Sequence, residues 1–189
     1  MKILFIRHAS TEKNYKGFMH KIGDTAGLSV EGRDQANNLI QICLNNNVEK
    51  VFSSPERRAL ETAEIIVKGI NKDLEIVPNL IERDWGGWAG QSWSEVEKKL
   101  KTMDLEKRYT FVPPSGESWQ QMEIRLKSTL SYIIGKGYQA VGVVTHEGAL
   151  RGFMPILLDL PKQESFKYHF ENASVKIFEL ENSVFTEIK

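Results

Sequence analysis

The chain has 189 residues, 41% of them hydrophobic, and its 25 basic and 25 acidic side chains cancel. This length buries a substantial core as one domain, and the charge balance excludes a general attraction for nucleic acid or anionic membranes. Cys43 is the single cysteine, which excludes a disulfide framework and a thiolate metal cluster. The apolar runs are too short for a signal peptide or a membrane span, so we expect a cytoplasmic protein.

Hydrophobic periodicity predicts alternating strands and helices in the first half of the chain. The predicted strands cover residues 2–6, 48–52 and 74–77, the last being the weakest. Apolar residues at helical spacing follow Ser29 and stop at three consecutive asparagines, 45–47. A second helix opens at the Ser-Ser-Pro sequence 53–55.

The middle of the chain is rich in tryptophan and interrupts this alternation. It leads into a helix that we expect to begin at Ser94, with Glu97 in the capping-box position. We interpret residues 82–116 as an insertion or lid within a single domain of residues 1–189. Beyond it, the pattern predicts helices over 119–133 and 148–158, and strands over 140–145, 175–180 and 184–188.

Strands that alternate with helices indicate an α/β protein. We expect a three-layer αβα arrangement whose central sheet is mostly parallel and covered on both faces. Ligands bind beyond the carboxyl ends of such strands. Three predicted strands end in polar clusters, at residues 7–8, 53–58 and 145–148. If these strands are neighbours, two imidazoles and at least two guanidinium groups meet at one point.

Two arginines beside two histidines form a compact anion site that suits a phosphoryl group. A neutral imidazole attacks phosphorus in line and carries the phosphoryl group as a covalent intermediate, which divides one difficult step into two. The leaving alkoxide needs a proton, which a carboxyl group supplies before its anion activates the incoming water. Glu82, just after the third strand, is the candidate for that role.

Ordered motifs over essentially the whole chain resemble those of the histidine phosphatase superfamily, which includes cofactor-dependent phosphoglycerate mutases and many small-molecule phosphatases. The motifs are Arg7-His8-Ala9 with Thr11 and Asn14, a helix opening at 28–36, Ser-Ser-Pro-x-x-Arg-Ala-x-x-Thr-Ala at 53–63, an acid-bearing loop at 80–90, Pro-Ser-Gly-Glu-Ser at 114–118, and Val144-Thr145-His146.

The resemblance implies a phosphoglycerate mutase-like fold and a catalytic set that needs neither metal nor cofactor. The implied roles are His8 as nucleophile, Glu82 as proton donor, and Arg7, Arg58 and His146 as ligands of the phosphoryl oxygens. The match over 53–63 selects Arg58 rather than Arg57. The candidate substrate-binding residues are Thr11, Asn14, Glu147 and Gly148.

Three residues depart from the pattern of the family. Ala9 replaces the usual glycine and adds a methyl group where the backbone approaches the phosphate closely. Ser10 stands where Glu or Gln is common. Glu147 stands where a glycine often follows the second histidine, and its carboxylate would repel a dianionic phosphate or reach a cationic or hydroxyl-bearing substrate.

The predicted function is hydrolysis of a phosphate monoester on a small phosphorylated metabolite, with phosphoglycerate mutase-type transfer as an alternative that shares the first half of the reaction. A catalytically weak phospholigand-binding protein is a second alternative. The sequence has no His-x-x-x-His or paired-aspartate spacing that would support metal-dependent hydrolysis. We expect His20 and His169 to be structural, while Glu117 stays open between a helix start and a functional role. The sequence determines neither the substrate nor the oligomeric state.

Overall fold

The computed structural model describes residues 1–188, which are organised around a six-stranded sheet. The strands are β1 (Lys2–Arg7), β2 (Lys50–Ser53), β3 (Asp73–Ile76), β4 (Ala140–Thr145), β5 (Val175–Glu181) and β6 (Val184–Ile188), in the spatial order β3-β2-β4-β1-β5-β6. The first four strands are parallel to one another, whereas β5 and β6 pair antiparallel at one edge.

Helices cover both faces of the sheet. They are α1 (Glu12–Tyr15), α2 (Val30–Asn45), α3 (Arg57–Ile70), α4 (Trp93–Lys101), α5 (Leu105–Thr110), α6 (Trp119–Gly135) and α7 (Glu147–Leu158). Side chains of β1 alternate between the two layers, because successive residues of a strand point to opposite faces. Leu4 and Ile6 pack with residues of α2 and α3, whereas Ile3 and Phe5 pack with residues of α6 and α7. The predicted three-layer αβα class is confirmed.

The central position of β4 brings the polar strand ends together. It pairs with β1 on one side and with β2 on the other, and all six of its residues are buried. Its register places Arg7 opposite Thr145 and Ser53 opposite Val144. His8 and His146 therefore leave the sheet side by side.

Helix α4 begins earlier than we predicted. Its N-cap is Ser92 rather than Ser94, and Glu95 rather than Glu97 accepts a hydrogen bond from the N-cap backbone N–H, at 3.3 Å. A long-range contact explains the difference: the backbone N–H of Trp93 donates to the carbonyl of Gly17 at 2.9 Å. That bond satisfies the first helical N–H and sets the start of the helix.

Two short helices, α1 and α5, were not predicted. They have four and six residues, so neither is long enough to show a helical repeat of apolar residues. Within residues 1–188, no helix has both the length and the apolar character that crossing a bilayer takes.

Helix α6 offers a test of a local stabilising interaction. The hydroxyl of Ser118 accepts from the N–H of Gln121 at 3.0 Å, and the Gln121 side chain accepts from the N–H of Ser118 at 2.7 Å. Because Ser118→Ala removes this cap, we expect the free energy of unfolding to fall by about 1 kcal/mol. Urea unfolding measures this change in free energy. Ser131, exposed in the same helix, is the control, and an equally large loss of stability in Ser131→Ala would contradict the prediction.

Candidate active site

His8 follows β1 directly, and its side chain is held in one tautomer. Nδ1 lies 2.8 Å from the carbonyl oxygen of Ala9, which only accepts, so Nδ1 carries the ring proton. Nε2 therefore has a lone pair, and the Nε of Arg58 donates to it at 3.2 Å. With 3% of the residue exposed, the imidazole is protected from bulk water. Nε2 is therefore the ring nitrogen whose lone pair could act as a nucleophile.

The two central imidazoles are kept neutral. Burial lowers the pKa of His8 well below its ordinary value, and the cations of Arg58 and Arg7 lower it further. Burial likewise lowers the pKa of His146, again helped by Arg58. The ring centroids of the two histidines are 5.2 Å apart. A neutral His8 is the form that can attack phosphorus.

His146 is oriented by the strand end next to its own. Its Nε2 lies 2.8 Å from the hydroxyl of Ser54, which follows β2. The other ring nitrogen, Nδ1, is buried and has no hydrogen-bond partner among residues 1–188. The position of Ser54 in the matched 53–63 motif was noted from the sequence, but its contact with His146 depends on the pairing of β2 with β4.

Arg58 lies in the first turn of α3 and is 2% exposed. Its Nη2 forms an ion pair at 2.5 Å with Glu56, which is also buried. Burial lowers the pKa of Arg58 and raises that of Glu56, and each group opposes the shift of the other. Nη1 of Arg58 has no partner in the described part of the chain and remains available to an anion. The sequence reasoning missed Glu56, although an acid two residues before a buried arginine was a usable signal.

Arg7 is partly neutralised by Glu147. Its Nη1 lies 3.0 Å from the carboxylate of Glu147 and also donates to the carbonyl of Phe170. The other carboxylate oxygen of Glu147 is 2.8 Å from His169, whose second nitrogen is 3.0 Å from Glu171. The departure from glycine at position 147 thus links an arginine of the site to a histidine at the surface.

Glu82 reaches the site through the loop after β3. Its Oε2 accepts from the N–H of Gly148 at 3.0 Å, and its Oε1 accepts from the N–H of Arg83 at 2.6 Å. A Cβ on residue 148 would lie 2.2 Å from Oε1 of Glu82, so the close approach requires glycine there. The hydroxyl of Thr145 donates to the carbonyl of Leu80 at 2.6 Å and ties the loop to β4.

A partly buried ion pair also holds this loop. Arg125 of α6 pairs with Glu117, with nitrogen to oxygen distances of 3.1 and 2.5 Å. Its guanidinium also donates to the carbonyls of Asn79, Ile81 and Glu82 at 2.7 to 3.0 Å. Glu117 therefore does more than start a helix. Sequence reasoning missed Arg125, because nothing in a helical repeat shows which loop a side chain meets.

Thr11 and Asn14 form a local turn beside His8. The backbone N–H and the hydroxyl of Thr11 donate to Oδ1 of Asn14 at 3.0 and 2.9 Å, which caps α1. The Nδ2 of Asn172 donates to the carbonyl of His8 at 3.0 Å and lies 3.4 Å from the same Oδ1. Both predicted residues thus lie at the site, where their side chains contact protein groups.

His20, to which the sequence analysis assigned no functional role, lies next to His8. Its ring centroid is 6.3 Å from that of His8, and its nitrogens lie 2.9 Å from the Thr11 hydroxyl and 3.0 Å from the carboxylate of Asp24. Burial, followed by the charge of Arg58, lowers the pKa of His20 to about 4. His169 is instead 67% exposed.

The methyl group of Ala9 packs in a small apolar cluster with Leu28 and Ala36. The N–H of Ala9 donates to the hydroxyl of Thr62 at 3.1 Å, which fixes this direction of the backbone.

Comparison with known proteins identifies the class. Residues 3–188 match the model of the histidine phosphatase superfamily, branch 1. The chain is 28% identical to phosphoserine phosphatase 1 of Hydrogenobacter thermophilus, over 96% of this chain and 87% of that protein. It is 26% identical to the 2,3-bisphosphoglycerate-dependent phosphoglycerate mutase of Thermoplasma acidophilum, over 96% of this chain and 88% of that protein. The structure of the alpha-ribazole phosphatase from Shigella flexneri superposes with a TM-score of 0.87 at 20% identity, covering 100% of this chain and 95% of that one.

The chain therefore belongs to the histidine phosphatase superfamily. The predicted family is confirmed, and so is the prediction of an enzyme that acts on small phosphate esters, since the relatives are phosphatases and a mutase. The structure places all five predicted catalytic residues around the same strand ends. His8 contacts Arg58 and His146 directly. Arg7 and Glu82 instead bind Glu147 and Gly148, the two residues that follow His146.

The lowered histidine pKa values predict a loss of stability in acid. Below the unfolded value near 6.5, the unfolded chain takes up protons that His8 and His146 resist when folded, so stability falls as the pH drops. The slope reaches about 1.4 kcal/mol per pH unit for each histidine. We expect His146→Gln to have a shallower slope between pH 7 and 5 in urea unfolding. The exposed His169→Asn serves as control, and equal slopes in all three proteins would refute the prediction.

Proposed function

We propose that this protein hydrolyses small phosphate monoesters through a phosphohistidine formed at Nε2 of His8. The observation that carries the proposal is the state of that atom: the Nδ1–H of His8 is committed to the carbonyl of Ala9, and the imidazole is neutral. Nε2 consequently has the lone pair that attacks phosphorus. The neighbouring guanidinium of Arg58, at 3.2 Å, is positioned to neutralise the phosphoryl oxygens.

In the proposed first step, Nε2 of His8 forms a bond to phosphorus while the bond from phosphorus to the ester oxygen breaks. Arg7, Arg58 and His146 hold the equatorial oxygens, since two guanidinium cations and a neutral imidazole N–H supply donors for them and the cations offset the phosphoryl charge. Glu82 gives its proton to the departing alkoxide. Its N–H partners, on Arg83 and Gly148, would stabilise the carboxylate that results.

In the second step, the carboxylate of Glu82 removes a proton from water, whose oxygen attacks phosphorus and releases His8. Inorganic phosphate leaves and Glu82 regains its proton, so the cycle closes without a cofactor. A mutase differs at this point, because the phosphoryl group returns to the bound product. Phosphatase names among the relatives favour hydrolysis.

The names of the relatives suggest which substrates to try. Phosphoserine, α-ribazole phosphate and glucosyl-3-phosphoglycerate are each assigned to a similar protein. All are small, polar phosphate monoesters, and we propose a member of this class as the substrate. The single cysteine, Cys43, is free and buried, which supports action in a reducing cytoplasm.

The nucleophile is tested by phosphate release and by trapping the intermediate. With chelator present, we expect the native protein and His169→Ala to turn over p-nitrophenyl phosphate or a member of the ester panel, and His8→Ala to release no phosphate. Rapid quenching with labelled substrate should leave label on the native protein that is stable in alkali and lost in acid, as a phosphorus to nitrogen bond requires. Turnover by folded His8→Ala, or interconversion of 2- and 3-phosphoglycerate faster than phosphate release, would overturn the proposal.

The role of Glu82 as acid is tested by varying the leaving group. Glu82→Gln cannot donate a carboxyl proton, so we expect kcat/KM to fall about 10²- to 10⁴-fold for alkyl phosphates. The loss should be much smaller for p-nitrophenyl phosphate, whose leaving group needs no proton. Glu97→Gln is the control, because Glu97 is a partly exposed carboxylate in α4 that pairs with Lys101. An equal loss on both esters would assign Glu82 to substrate binding instead.

A further inference from the structure

A small cavity with an unusual lining lies behind the acid loop. Its volume is about 10 Å³, and its walls include the guanidinium groups of three arginines and the rings of three aromatic residues: Arg83, Arg108, Arg151, Trp85, Trp119 and Phe166. Arg83 follows Glu82 in the acid loop, Arg108 lies in α5, and Arg151 lies in α7. Three separate segments thus bring positive charge to one interior point.

None of these three arginines forms an ion pair with a carboxylate of residues 1–188. Arg83 instead donates to the carbonyls of Glu117 and Phe111, at 3.2 and 3.1 Å. Arg151 donates to the carbonyls of Ser165 and Phe166, both at 3.1 Å. Carbonyl oxygens satisfy N–H groups but do not cancel a positive charge.

Two donors at the cavity are without acceptors. Nε of Arg108 and the indole N–H of Trp119 are both buried, and neither has a hydrogen-bond partner in the part of the chain that the structure describes. A buried donor left unsatisfied costs free energy comparable to a lost hydrogen bond. Both donors lie in the wall of the same cavity, so one acceptor there can satisfy them together.

The charges in the wall repel one another. Burial is the main cause that lowers the pKa of Arg83 to about 10. The carboxylates of Glu117 and Glu82, beyond ion-pair distance, oppose this shift, and the cations of Arg108 and Arg151 add to it. Aromatic faces provide some compensation, with the guanidinium of Arg83 4.2 Å from the ring centre of Trp85. A buried guanidinium without an ion pair, beside two partly buried arginines, favours a counter-ion.

We propose that this cavity is a binding site for one monatomic anion of the size of chloride. The volume suits one particle about the size of a water molecule. A halide ion is only slightly larger and enters with a small displacement of the side chains in the wall, whereas a phosphate or carboxylate group, with several heavy atoms, is too large. The bound ion accepts from Nε of Arg108 and from the indole N–H of Trp119 while its charge offsets the three guanidinium groups. It joins the acid loop, α5 and α7 into one unit. This site is separate from the phosphoryl site and does not depend on the proposed function.

Thermal unfolding and tryptophan fluorescence of the full chain test the site. Tm is measured in sodium chloride and in sodium gluconate at the same ionic strength, because gluconate is too bulky to enter. We expect chloride to raise Tm saturably, by roughly 3–6 °C at ten times the Kd. Bromide should quench the fluorescence of the cavity tryptophans with saturation. Equal Tm values in the two salts, together with linear quenching, would refute the proposal.

A matched pair of variants in α5 assigns the response to the cavity. Arg108→Met keeps an unbranched apolar side chain but removes the charge and the buried donor, so the chloride-dependent rise in Tm should disappear. Lys107→Met removes an exposed charge next to it and should keep the rise. A rise that persists in Arg108→Met, or is lost equally in both variants, would contradict the proposal.

Crystals of the native protein soaked in bromide give a test that does not depend on any variant. An anomalous peak within hydrogen-bond distance of Arg108 and Trp119 is the expected result. The absence of a peak in the cavity at saturating bromide would overturn the proposal even if Arg108→Met fails to fold.

Discussion

Parallel pairing of β4 with β1 on one side and with β2 on the other is the constraint on which the active site depends. Each of these three strands ends in a polar sequence, and parallel strands place their carboxyl ends at the same edge of a sheet. His8, Ser54 and His146 meet for that reason. The helices that follow β2 and β4 then begin at this edge, so Arg58 and Gly148 enter the site from their first turns.

The balance of charge around these strand ends keeps the imidazole of His8 neutral. Arg58 and Arg7 help burial to hold His8 neutral, and each arginine is in turn paired with a carboxylate, Glu56 or Glu147. A phosphoryl group that enters the site therefore meets donors whose charge is already partly compensated. Arg125 lies farther from the strand ends and positions the acid loop. It pairs with Glu117 and donates to three loop carbonyls, including that of Glu82.

Local signals in the sequence were sufficient to predict several of the secondary-structure elements and site residues. Buried strands such as β4 are continuous apolar runs, and the main helices show a repeat near 3.6 residues, so their order led to the correct αβα class. The motifs around His8, Arg58 and His146 each lie within a few consecutive residues and keep their order along the chain. Such short patterns can be recognised without knowing how the chain packs, and they identified the family.

Contacts between residues distant in sequence were decided only by the tertiary structure. Ser92 rather than Ser94 caps α4 because Gly17, far away in the chain, accepts the first helical N–H. His20 lies beside His8 because an irregular segment folds across the strand ends, and no periodicity encodes that path. Arg125 meets the acid loop, and Glu147 meets Arg7, through the packing of helices on the sheet. These contacts depend on three-dimensional distances, which a one-dimensional pattern of residue types does not contain.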